Sequence, residues 1–270
     1  MRLENQGEIT GSSWLGLDWS DWTLLEPGTK KISQVPETSG FFRVKKVEGE
    51  ELDYVGQTGR SLRERLVHLA NRIDSEERPE DSLSAEHLWE LSDFGGRFEF
   101  SYANPNIARS ETDRLGLENV MFAVHMKHAG RSPTVNLDRR LKDEGDETVI
   151  DSLDWTSSPF TSRDWLGLDW TEPRELSRRT EIDESRVVYR IWFPGYTPPL
   201  AHIGKSTNVA NRLIKHEKKF GPRAKFSVAP LDSRLEDVEA ALIADHYIRT
   251  NTLPKGQDGR RNRFSWSRDG

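Results

Sequence analysis

"LDYVGQTGRSLRERL", residues 52–66, runs from an aliphatic strand through two glycines into a basic amphipathic helix. Its reading decides the fold. Gly56 and Gly59 either give the chain the freedom to leave a strand sharply, or they bring backbone close to a bound phosphate. Two residues separate these glycines and Arg60 follows, whereas a Walker loop needs four between its glycines and then Gly-Lys-Ser/Thr, so that motif fails.

The GxxG clamp of KH domains sits between helices, and this one follows a strand. A plain turn stays open. The same layout returns downstream as "LAHIGKSTNVANRLIKH", residues 200–216, in a chain that repeats more widely. Trp14-Leu15-Gly16-Leu17-Asp18-Trp19-Ser20 recurs as Trp165-Leu166-Gly167-Leu168-Asp169-Trp170-Thr171. After each copy comes a polar segment and a β-like run, at 41–47 and 187–193. A second strand ending at Gly56 or Gly204 follows, then a helix carrying Arg65 or Arg212. Alternating third strands are expected at 97–103 and 224–231, and long helices at about 110–129 and 233–250. The second copy is shorter, chiefly by "DSEERPEDSLSAEHLWELSD", read as loop length. Two related α+β domains are expected, 1–145 and 146–270, joined through an acidic, Ser/Thr-rich boundary near 143–160.

Composition narrows the function. With 34% apolar and 31% charged residues and no long apolar run, the expectation is a soluble protein with no membrane partner. Cysteine is absent, which removes thiolate metal sites and cysteine nucleophiles and agrees with a cytoplasmic protein, as does an N-terminus without a secretion signal. A net charge of −6 argues against binding DNA by bulk electrostatics. Arginines are instead focused locally, around Arg60, Arg63 and Arg65, at Arg139 and Arg140, and at Arg260, Arg261 and Arg263 in the tail "GRRNRFSWSRDG". The repeated Asp-Trp pairs could stack on bases. Packing of a lead segment onto each sheet is the simpler reading.

"GFFRV" followed by "LDYVGQTGRSLRERL" resembles the GIY-YIG nuclease family, and "RVVYRI" with "LAHIGKSTNVANRLIKH" and "DVEAALI" resembles it again. The resemblance covers residues 40–136 and 187–257. It implies two small domains, each a three-stranded antiparallel sheet flanked by helices, that hydrolyse a DNA phosphodiester with Mg²⁺ or Mn²⁺. Catalytic positions carried over are Tyr54, Arg65 and Glu118 in the first copy and Tyr189, His202, Arg212 and Glu239 in the second. Glu118 and Glu239 are the implied metal ligands. Substrate contacts are expected from Arg63, Gly56 and Asn136, and from Lys205, Gly204, His216 and Gln257. Phe42, His202 and Gln257 depart from the pattern, so neither copy is complete.

These residue types suit the chemistry. A phosphorane gathers negative charge that a helix-mounted arginine stabilises. Octahedral Mg²⁺ is satisfied by one carboxylate, a phosphate oxygen and waters. A tyrosine can take a proton from water when nearby cations favour its phenolate. Phe42 has no hydroxyl, so the second copy is expected to be the more competent. Two copies on one chain could act as a pseudo-dimer, with the whole chain a monomer or a homodimer. The alternative is a non-catalytic nucleic-acid-binding or assembly module on a degenerate scaffold.

Overall fold

A computed structural model describes residues 7–79, 83–136, 152–155, 158–181, 186–195 and 200–257. These divide into two compact units, 7–136 and 152–257. Arg139, Arg140, the C-terminal tail and most of the expected boundary lie outside the described residues.

The first unit contains β1 (Thr23–Leu24), β2 (Gly40–Lys46), β3 (Tyr54–Thr58), α1 (Leu62–Ile73), α2 (Leu83–Asp93), β4 (Phe98–Ala103) and α3 (Glu111–Ala129). The second contains β5 (Arg174–Glu175), β6 (Val187–Trp192), β7 (Leu200–Ser206), α4 (Val209–Phe220), β8 (Lys225–Pro230) and α5 (Leu235–Thr250). Both sheets are antiparallel with the same order, β1-β4-β2-β3 and β5-β8-β6-β7. The architecture is therefore α+β with two four-stranded sheets, where three strands each were expected. The fourth is a short piece of each lead segment, which pairs with the open edge of β4 or β8. Among the described residues no helix is long and apolar enough to cross a membrane.

Local chemistry sets the helices. Ser61 caps α1 by accepting from Glu64 N, and the helix buries Leu62, Leu66, Leu69, Ala70 and Ile73 along one face. Asn208 caps α4 in the same way, and its buried face is Val209, Leu213 and His216. The segment unique to the first unit is more than loop: α2 seats Ala85 and Leu88 in the core that α1 and the sheet share.

Gly56 and Gly204 do not turn the corner. Each lies inside its strand, which continues two residues further, and each stands opposite an aromatic residue, Phe42 or Tyr189. A Cβ on Gly56 would come within 2.5 Å of Phe42 Cζ. The glycine is what lets the ring lie across the neighbouring strand.

The repeated Trp-Leu-Gly-Leu-Asp-Trp also folds the same way twice. Leu15 and Leu166 take left-handed φ of 58° and 55°, the following glycines are left-handed too, and the second indole donates to the first tryptophan's carbonyl at 3.0 Å in both copies. Trp14, Trp19, Trp165 and Trp170 are buried, so stacking on bases is not their task. They cover a buried arginine on β2 or β6. The Arg43 guanidinium sits 4.3 Å from the Trp19 ring centroid, and that of Arg190 sits 4.1 Å from Trp170. Arg43 donates to the carbonyls of Ile9, Thr10 and Gly11, and Arg190 to those of Phe160 and Ser162. Burial pulls both guanidinium pKa values down to about 9, in Arg190 against the opposing charge of Asp164.

Candidate active site

The strand alternation that sends Arg190 to the tryptophans sends Tyr189 to the opposite face, under α4. There its hydroxyl oxygen lies 3.2 Å from Arg212 Nε, 2.8 Å from His216 Nε2 and 3.5 Å from His202 Nε2. Arg212 and His216 are one helical turn apart on α4, so both reach the same phenol. Arg212 donates to the oxygen, and in the tautomer with Nε2 unprotonated His216 is an acceptor for the phenol proton. Tyr189 is fully buried, and half-exposed Arg212 lies beside its hydroxyl. The rings of His202 and His216 sit 4.5 Å apart, and Phe220 stacks on His216. Burial, with the positive charge of its neighbours, holds His202 well below the usual histidine pKa, so the imidazole is neutral.

Glu239 enters from the first turns of α5 and is 7% exposed. Burial raises its carboxyl pKa to about 7, against the opposing pull of Lys205 and Arg212. The charge of Arg212 thus reaches Glu239 as well as the phenol. Glu236, one turn earlier, adds a second negative charge and forms an ion pair with Lys205. Lys205, expected to contact substrate, is therefore held by a carboxylate of its own unit.

The first unit keeps part of this arrangement. Arg65 donates to the Tyr54 hydroxyl at 3.4 Å, and the charge of Arg65 acts on Glu118 of α3. Burial raises the Glu118 pKa to about 8, with Arg114 and then Arg65 opposing the rise. The ring of Phe42 packs edge-on to Tyr54 where the second unit has Tyr189, and Leu69 occupies the place of His216 in the core. Arg114 lies one turn before Glu118 and is held by Gln57 Oε1 at 3.0 Å and the Ala108 carbonyl at 2.6 Å.

No protein-family model, curated protein or solved structure matches this chain.

Four expected substrate contacts have other work in the structure. Asn136 accepts from Val55 N and donates to Val55 O, both at 2.8 Å, acting as a strand-like partner for the free edge of β3. Gln257 accepts from Ile203 N at the equivalent place on β7. Arg63 binds Glu37 and the Val35 carbonyl, pinning the lead segment to α1. His216 is buried against Tyr189, which makes it a proton partner of the phenol. Sequence reading missed Arg114 and Glu236. Their signal was helical spacing, four residues before Glu118 and three before Glu239.

Proposed function

We propose that the chain is a GIY-YIG-type endonuclease that hydrolyses DNA phosphodiester bonds in its second unit, with the two units acting as a pseudo-dimer. The observation that carries this reading is the convergence of Tyr189, His216, Arg212 and Glu239. One phenol is offered a proton acceptor and a guanidinium at once, and the charge of that guanidinium reaches a buried carboxylate, Glu239. Such a set matches the needs of water attack on phosphorus better than those of a structural core.

The donor set fits Mg²⁺ or Mn²⁺. Glu239 is the carboxylate that would hold such an ion, which needs few protein oxygens because it keeps most of its water; among the described residues no group of three metal-ligating side chains forms. When bound, such an ion polarises a phosphate oxygen and supports water ionisation. The protein does the rest. A substrate phosphate competes with the phenol for the Arg212 guanidinium, drawing that side chain off the Tyr189 hydroxyl. The exposed hydroxyl accepts the proton of the attacking water as its own passes to His216 Nε2. Neutral His202 adds no like charge to the protonated histidine.

The closed Tyr189 hydroxyl favours a second reading, a nucleic-acid-binding module that does not cut. Plasmid DNA with Mg²⁺ or Mn²⁺ separates the two. The nuclease nicks it and loses that activity in Glu239→Ala, whereas the module binds DNA in a salt-sensitive way and leaves it intact.

A further inference from the structure

The pocket of the first unit differs from that of the second in how its charges are paired as well as in its missing base. Around Glu118 stand two guanidiniums, those of Arg65 and Arg114, and neither forms a direct ion pair with it. In the second pocket the carboxylates of Glu239 and Glu236 face Arg212 and Lys205, and both imidazole-bearing neighbours lie on the phenol side. Among the described residues the first pocket therefore holds two guanidiniums outside any direct ion pair, with the charge of Glu111 acting on Arg114, whereas in the second Lys205 is already paired with Glu236. A guanidinium outside an ion pair is the better placed to take an incoming anion.

The groups that move a proton are absent from the first pocket. Phe42 is buried with no hydroxyl, and Leu69 packs in the core where an imidazole would have to stand. Yet the charged residues there are not in a relaxed core arrangement. Among the described residues Arg65 is half-exposed with a long contact to Tyr54, and Glu118 is partly exposed with no hydrogen bond. A scaffold kept for packing alone gains nothing from a helix-mounted guanidinium and a carboxylate held near each other without an ion pair.

We infer that the Arg65–Arg114–Tyr54 pocket of the first unit is a metal-independent clamp for a DNA backbone phosphate, one that grips without cutting. The inference rests on the nuclease reading of the second unit and assigns the first its share of the work. Arg65 donates to the phosphate oxygens, Arg114 adds charge from behind, and the Tyr54 hydroxyl donates beside Arg65. One cutting site and one gripping site on the same chain produce nicks in place of double-strand breaks.

The test measures binding of a fluorescent DNA duplex by the full chain in EDTA, across a series of salt concentrations, next to plasmid cleavage in Mg²⁺. The parent protein is expected to bind in EDTA. Arg65→Ala should bind about tenfold more weakly, with the slope of log affinity against log salt reduced by about 0.9, the value for one lost phosphate contact. Arg65→Lys should restore most of that slope. The rescue by lysine separates a lost phosphate contact from misfolding. Unchanged affinity and slope in Arg65→Ala would overturn the clamp, as would absence of binding in EDTA. Plasmid linearised as fast as it is nicked would overturn it too, leaving the nuclease reading intact with the first unit as a cutting site. If the parent cuts nothing while the EDTA results hold, the nuclease reading fails and the first pocket remains a phosphate site.

Discussion

Tyr189 stands directly across the ladder from Gly204, and a Cβ on that glycine would lie 2.4 Å from the phenol oxygen. The approach is equally close in the first unit, where the Cβ position of Gly56 is filled by the Phe42 ring. Gly204→Ala and Gly56→Ala should each destabilise their unit by about 1–3 kcal/mol through overpacking, read as a lower midpoint in urea unfolding. Gly204→Ala should also cut activity, since the displaced group is the phenol itself. Neutral alanines at both places would show that the rings have room to move aside.

Tyr189→Phe keeps the ring and its packing and removes the proton route. Cleavage should fall by about 10²- to 10⁴-fold with little change in stability. His216→Ala should lower cleavage as well, by removing the acceptor at 2.8 Å from the hydroxyl. Parental rates in Tyr189→Phe would remove the phenol from the mechanism.

Glu239 has a folded-state pKa of about 7, above its unfolded value, so the unfolded chain holds fewer protons between the two. Stability linked to this group is complete at low pH and is lost as pH rises toward 7. Glu239→Gln, which mimics the protonated form, should therefore be more stable than the parent at pH 8.5 by on the order of 2 kcal/mol, and the gap should close toward pH 5. Millimolar Mg²⁺ should narrow the gap by stabilising the ionised parent. An identical pair of melting curves at pH 8.5 would contradict the burial argument.

The histidines set the acid limit. Burial pulls His125 and His246 down to about 4 and holds His202 below its ordinary range. A depressed base costs nothing above its unfolded pKa and destabilises the fold as pH falls below about 6.5. Unfolding midpoints should drop between pH 6.5 and 4, and His246→Gln should flatten the second unit's share of that loss.

Asn136 holds the edge strand β3 with two hydrogen bonds, where Gln257 gives β7 one to Ile203 N. Asn136→Ala strands two buried backbone groups and should cost about 2 kcal/mol. Amide hydrogen exchange at Val55 reports it directly: the amide should lose protection. Retained protection would mean another group takes over the pairing.

The duplication, the order of elements and the asymmetry between Phe42 and Tyr189 were legible in the residues themselves, because each is a matter of local pattern and of which side chain occupies a repeated position. The helix faces were legible too, since capping and apolar spacing act within a few residues of one another. What the chain order could not express was partnership across the fold. Arg43 and Arg190 are mid-strand charges whose partners appear only once the sheet turns them toward the tryptophans, and the jobs of Gly56, Gly204, Asn136 and Lys205 depend on neighbours 14 to 81 residues away. Such contacts follow from sheet register and helix docking. A shift of one residue in register would exchange the faces of Tyr189 and Arg190, putting the guanidinium under α4 and the phenol among the indoles. Tertiary packing alone selected the register in which the phenol meets Arg212 and His216.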